Sequence, residues 1–135
     1  MINFLGVSFV ISVKTKGNFN NTEKFLKKMK EPFYYSILNE YGRRGVEALR
    51  EATPKDTGKT AESWHYEVLT NGKRIKLRWY NDNMAEAGMP IAVLIQYGHV
   101  TKNGGYVEGR DYINPALRPI FDSIASLLWR EVTNA

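Results

Sequence analysis

The sequence predicts an α+β domain, with a small, mainly antiparallel sheet packed by a long central helix and a C-terminal helix. Three observations predict it. Apolar and polar residues alternate on both sides of Asn71-Gly72, apolar residues recur at helical spacing from Tyr34 to Ala52, and a wide apolar stripe runs from Ala116 to Val132.

The alternating segment, Trp64 to Tyr80, reads as a two-stranded hairpin. Asn-Gly is the preferred pair for a two-residue type I′ turn, which sets Thr70 opposite Lys73, Val68 opposite Ile75, Tyr66 opposite Leu77 and Trp64 opposite Trp79. On the other face Glu67 meets Lys76 and His65 meets Arg78. Turn preference and alternation agree on which side is apolar. An isolated hairpin is marginal, so the tryptophan-bearing face is expected to lie on a helix.

That helix follows Pro32. Tyr34, Ile37, Leu38, Tyr41, Ala48, Leu49 and Ala52 form its apolar face up to Pro54. Gly42 and Gly45 weaken it by about 1 kcal/mol each relative to alanine, a cost that makes sense where another backbone packs closely. Earlier in the chain, Met1 to Val13 reads as an N-terminal strand, and Asn21 or Thr22 caps a short helix to Lys30. Later, the apolar run Ile91 to Tyr97 has strand length and suits a strand covered on both faces. Asn81 to Pro90 and the glycine-rich Gly98 to Tyr112 read as long loops, the second mobile. Asn114 followed by Pro115 gives an N-cap and first helical position for the last helix.

At 135 residues without an evident linker, a single domain over 1–135 is expected. The absence of cysteine excludes a disulfide framework, a thiolate metal site and a cysteine nucleophile. The first thirteen residues lack the basic start and small-residue cleavage pattern of a signal peptide and are too short to span a bilayer, so no membrane partner is expected. A net charge of +5 leaves a nucleic-acid partner open.

No arrangement of residues points to catalysis. His65 and His99 have no helical-spacing partner, and no cysteine completes a zinc set. Ser63 and His65 lie side by side on a strand without a nucleophile elbow. Asp56 sits in a Pro-Lys-Asp-Thr-Gly turn, where its carboxylate has a structural task. Gly104-Gly105 lacks the context of a phosphate-binding loop. No cofactor is expected.

Three segments in order carry a resemblance: Ala52-Thr-Pro-Lys-Asp-Thr-Gly-Lys-Thr-Ala-Glu-Ser-Trp64, Val93-Leu-Ile-Gln-Tyr-Gly-His99 and Arg110-Asp-Tyr-Ile-Asn-Pro-Ala-Leu117. Over about Asn39 to Val132 the chain resembles the HK97 gp10-like family of tailed-phage neck and tail-completion proteins. Pro54, Asp56, Thr57, Gly58 and Ser63 match its Pro-x-Asp-Thr-Gly block, Tyr97-Gly98 its aromatic-glycine pair, and Ile113, Pro115, Ala116 and Leu117 its final helix start. Gln96 departs from the glutamate common before that pair, and His99 from a small hydroxyl residue.

The resemblance implies a non-enzymatic virion subunit. It would form a closed ring with itself, six-fold by preference or twelve-fold, beside adaptor, stopper or tail-tube subunits, with genomic DNA passing without sequence specificity. It would be made in the host cytoplasm and reside in the virion neck. The interface residues expected are His65, Glu67, Lys76, Arg78, His99, Lys102, Tyr106 and Arg110; the DNA-facing cations are Lys24, Lys27, Lys28, Lys73 and Arg74. The competing reading is a small basic nucleic-acid-binding module or toxin-like RNase using His65 or His99 as acid or base.

Overall fold

The computed structural model describes residues 2–5, 8–13, 32–55, 58–71, 74–86 and 88–134. The architecture is α+β, as the sequence predicts. Strands β1 (Ile2–Leu5), β2 (Ser8–Val13), β3 (Trp64–Asn71) and β4 (Arg74–Asn81) form an antiparallel sheet in the order β1-β2-β4-β3. A long helix, α1 (Pro32–Ala52), packs on β3, β4 and the last helix, α3 (Ile113–Asn134). Between them lie a short helix, α2 (Ile91–Tyr97), and a second sheet of β5 (Gly98–Val100) and β6 (Tyr106–Glu108).

The expected single N-terminal strand is two, with Leu5 opposite Ser8 and Ile2 opposite Ile11. Gly6 interrupts the apolar run, and a Gly-first pair is a hairpin signal in its own right. The second of these strands borders β4, with Phe9 opposite Trp79. The lysine-faced helix expected to end at Lys30 lies outside the described residues.

The hairpin exists with a different register. Trp64 stands opposite Asn81, Tyr66 opposite Trp79, Val68 opposite Leu77, and Asn71 opposite Arg74. Asn71 is thus a ladder residue rather than part of the turn. The slip of two residues keeps every side chain on its expected face, since only an odd slip exchanges faces. It changes the polar partners: Glu67 meets Arg78 rather than Lys76, and His65 meets Tyr80 rather than Arg78.

The apolar face rests on α1, and the glycines explain how. A β-carbon at Gly42 would overlap the ring of Tyr66, and one at Gly45 the indole of Trp79. The close approach is therefore by aromatic rings, not by another backbone. Trp79 is 0% exposed, donates its indole N–H to the Gly42 carbonyl at 2.9 Å, and meets Phe121 edge-on at 5.9 Å. Leu49, Trp64, Leu77, Ile113, Leu117, Ile120 and Ile124 complete the core.

Ile91–Tyr97 is a helix, not the expected strand. A seven-residue run that is apolar except for Gln96 fits either state. Here Pro90 starts the turn, its carbonyl accepting from the Val93 and Leu94 amides, and Ala92, Val93 and Gln96 bury one side. Gly98, at φ 83, ends the helix with its N–H on the Leu94 carbonyl. The last helix begins at Ile113, one residue before the expected cap. Asn114 does not cap it; its amide donates to Asp111.

Tyr112 is buried beneath this junction and donates to the Ala92 carbonyl at 2.7 Å. Burial pushes its phenol up from the ordinary value of 10.0, with the Thr53 hydroxyl acting weakly the other way. The folded chain therefore holds the phenol proton where the unfolded chain releases it. That contribution is complete below pH about 10 and is lost as pH rises above it, at up to about 1.4 kcal/mol per pH unit. In alkaline denaturation series, Tyr112→Phe is expected to lower stability by about 1 kcal/mol at neutral pH, through the lost hydrogen bond, and to flatten the decline above pH 10. Parallel wild-type and variant curves would contradict this.

Candidate assembly surface

Two surfaces collect the expected site residues. The first is the sheet face turned away from the helices. Glu67 and Arg78 pair at 2.6 Å, each about one-third exposed, and the Arg78 guanidinium lies 5.0 Å over the Tyr80 ring. His65 Nε2 lies 2.8 Å from Asp82, and its ring is 5.5 Å from that of Tyr80. Lys76 lies across from Leu69. These are cross-strand pairs of half-exposed groups, each worth about 0.2–1 kcal/mol. Among the described residues, no three of histidine, aspartate and glutamate are grouped to hold a metal ion.

The second surface is a small arm made of β5 and β6, in place of the irregular loop expected from Gly98 to Tyr112. Gly98 pairs with Glu108, His99 with Val107 and Val100 with Tyr106. The turn is a three-residue one: the Gly104 amide bonds the Thr101 carbonyl at 3.1 Å, Gly104 has φ 79, and the Thr101 amide bonds the Gly105 carbonyl at 2.8 Å. Lys102, at the tip, pairs with Glu86 at 3.3 Å. The Asn81 to Pro90 loop is likewise folded back, Met84 bridging Pro90 and the Ala85 amide bonding the Met89 carbonyl.

The arm is fixed at its base. A β-carbon on Gly109 would come within 2.6 Å of the Tyr97 carbonyl carbon, and one on Gly98 within 2.7 Å of the Val107 carbonyl oxygen. The two strand ends cross at a distance only glycine allows. Arg110 donates its amide to the Ile95 carbonyl at 2.9 Å. Gln96, buried beside this crossing, joins the arm to α3: its side-chain carbonyl accepts from the Tyr112 and Ile113 amides, both at 3.0 Å, and its amide donates to Asp111 at 2.7 Å. A side chain from α2 thus serves as the N-terminal cap of α3.

Of the large apolar side chains left exposed among the described residues, Val100, Tyr106 and Val107 lie on the arm, Tyr97 ends α2 at its base, and Met84 and Met89 lie on the loop that precedes α2. Val100 is 71% and Tyr106 67% exposed, and they face each other across the strands. The Tyr106 hydroxyl reaches over Gly98, where a side chain would strike it. His99 is half-buried on the opposite side of the arm, its Nδ1 shielded from solvent.

The motif turn braces the sheet. Ser63 donates to the Lys59 carbonyl at 2.7 Å, Asn81 to the Thr60 carbonyl at 2.8 Å, and Asn83 to the Thr60 hydroxyl at 2.9 Å. Gly58 has φ 82, a conformation that favours glycine. Asp56 and Thr57 lie outside the described residues. A groove of about 440 Å³ opens between this turn and α2, lined by Pro54, Lys59, Thr60, Met84, Ile91 and Ile95, among others.

His65, Glu67, Lys76 and Arg78 therefore share one face, while His99, Lys102, Tyr106 and Arg110 share the arm. The two groups sit on separate sheets. Lys24, Lys27, Lys28 and Lys73 lie outside the described residues, and Arg74 enters only through its backbone pairing with Asn71. Gln96, Val100, Val107 and Met84 were not among the expected residues. No protein-family model, curated protein or solved structure matches the chain. Among the described residues no helix is long and apolar enough to cross a membrane.

Proposed function

We propose that the chain is a structural subunit of the tailed-bacteriophage neck, joining or completing the head-tail interface as a closed ring through which DNA passes. The observation that carries this reading is the arm: a short hairpin, rigid at its base, that presents an apolar face to solvent. Two three-residue strands are too short to be stable alone. Val100 and Tyr106 stand side by side across its strands, and an apolar patch left exposed in this way is a mark of an assembly site. The polar pairs on the outer face of β3 and β4 are consistent with structural service, since His65 and Arg78 are occupied by Asp82 and Glu67.

The neck assignment rests on the chain's own motif residues, of which Gly58 and Ser63 hold the strand-leading turn and Tyr97-Gly98 forms the arm's base. A ring requires two different patches that meet head to tail on successive subunits. Net positive charge is compatible with a lumen that carries DNA without reading its sequence.

Native mass spectrometry of the purified protein at rising concentration tests the ring. The expected result is a closed species of six or twelve 15.5 kDa subunits, with no open series. A chain that stays monomeric and binds duplex or single-stranded nucleic acid with a steep salt dependence would instead favour the nucleic-acid module.

A further inference from the structure

β3 is an outer strand of the four-stranded sheet, and its free edge is open. The Asp82 amide bonds the Ser63 carbonyl at 3.2 Å, and bonded pairs alternate along an antiparallel ladder. His65, Glu67 and Leu69 therefore direct their backbone bonds to β4, while the amides and carbonyls of Trp64, Tyr66, Val68 and Thr70 point away from it. Natural edge strands are blunted by lysine, proline, a bulge or brevity. β3 has eight residues in unbroken register and contains neither lysine nor proline. Beside it lies a hollow of about 460 Å³, lined by Arg43, Val46 and Glu47 of α1, by Trp64 and Tyr66 from the core face of β3, and by His65 from the outer face. A hollow that touches both faces of one strand wraps around its edge.

We propose that the free edge of β3 receives β1 of a second copy, so that the sheet continues from one copy to the next. Two observations favour β1 as the occupant. The first is strand sense. Every neighbouring pair in the sheet is antiparallel, so β1 and β3, at its two ends, run in opposite directions. Copies related by rotation about an axis along the strands then bring these edges together antiparallel, two different surfaces meeting head to tail as a ring requires. The second is the apolar pattern. Ile2 and Phe4 stand opposite Ile11 and Phe9, which stand opposite Leu77 and Trp79, so they hold core-face positions in the register. Carried onto the edge of β3, those positions fall on the side of the hollow formed by Val46, Trp64 and Tyr66, apolar against apolar. Main-chain bonds supply the affinity of such a contact, and alternate side chains set its register.

The proposal rests on the ring reading for the rotation that relates the copies, but its test is separate. The chain has no cysteine, so single thiols report cleanly. Asn3 holds an outer-face position in the register, as do His65, Glu67 and Leu69. Asn3→Cys protein is mixed in equal amounts with His65→Cys, Glu67→Cys or Leu69→Cys protein in turn under a glutathione redox buffer, and circular dichroism checks that each variant is folded. In at least one mixture the mixed disulfide dimer is expected in several-fold excess over both homodimers and over the collision control, exposed Ser126→Cys. Hydrogen exchange gives a second readout: the Tyr66, Val68 and Thr70 amides should gain protection as protein concentration rises, while those of Glu67 and Leu69 are protected throughout. Predominance of β3–β3 dimers in all three mixtures would overturn the proposal in favour of two-fold edge pairing. Mixed dimers no more abundant than the control, or edge amides unchanged by concentration, would overturn it outright. Detection of the chain in virion necks alongside any of these failures keeps the neck reading and removes only this contact.

Discussion

Gly45→Ala is expected to destabilise the protein by about 2 kcal/mol or more, although helix propensity alone predicts a gain of about 1 kcal/mol for the same change. The two effects have opposite signs, so the measurement decides between them. Gly45 lies in the middle of α1, where alanine is the better helix former. Its missing β-carbon is the space taken by the Trp79 indole. That ring is fully buried, tied by its N–H to Gly42 and packed on Phe121, so it has no direction in which to withdraw. Overpacking at such a site forces the helix outward or the ring off its rotamer. For a domain of this size the melting temperature should fall by roughly 4 °C per kcal/mol. A variant as stable as the wild type, or more so, would mean that α1 and the sheet are not packed through their glycines.

Gln96→Ala is expected to cost about 3 kcal/mol and to release the arm. Truncation leaves the Tyr112 and Ile113 amides and the Asp111 carboxylate without the partner they now have, and a buried donor left unsatisfied costs about 1–3 kcal/mol. A cavity term adds to this. The local consequence distinguishes the cap from generic core damage. Hydrogen exchange should accelerate first in residues 98–110 and in the first turn of α3, while β3 and β4 keep their protection. Gln96→Glu keeps the two bonds to the helix start, where a negative charge is favourable, but sets a carboxylate against Asp111. It should be milder than alanine at neutral pH. Uniform loss of protection across the molecule in Gln96→Ala would contradict the cap.

Much of the fold could be read from the chain because local signals and burial agreed. Alternation around Asn71-Gly72 identified the faces of β3 and β4 correctly, since faces depend on parity alone. The register was misjudged because Gly72-Lys73 offers a second two-residue loop, and the choice is made by neighbours outside the hairpin. β2 pairs along the far edge of β4, and the motif turn holds Asn81 through Thr60. The stripe of α3 was legible from Leu117 to Leu127, yet its cap was not, because the capping residue comes from another helix.

The largest miss is at Ile91 to Val107. A run of seven residues, apolar but for Gln96, has no period long enough to distinguish strand from buried helix, and Gln96 marks one position that needs a polar partner. The arm has a sequence signal of its own. Asn103-Gly104 lies between β-branched and aromatic residues, the same pattern that located the first hairpin. Four expected interface residues, His99, Lys102, Tyr106 and Arg110, do gather on that arm. Its apolar centre, Val100 with Tyr106, is set by strand pairing, which no sequence spacing of a glycine-rich segment discloses.

The central claim, a ring subunit of the phage neck, is tested most directly by locating the protein in the particle. Antibody against the folded chain, viewed by electron microscopy on purified virions of the encoding phage, is expected to label one site between head and tail, with quantitative mass spectrometry counting six or twelve copies per particle. Absence of the chain from intact virions, or label distributed over the capsid or tail shaft, would contradict the account.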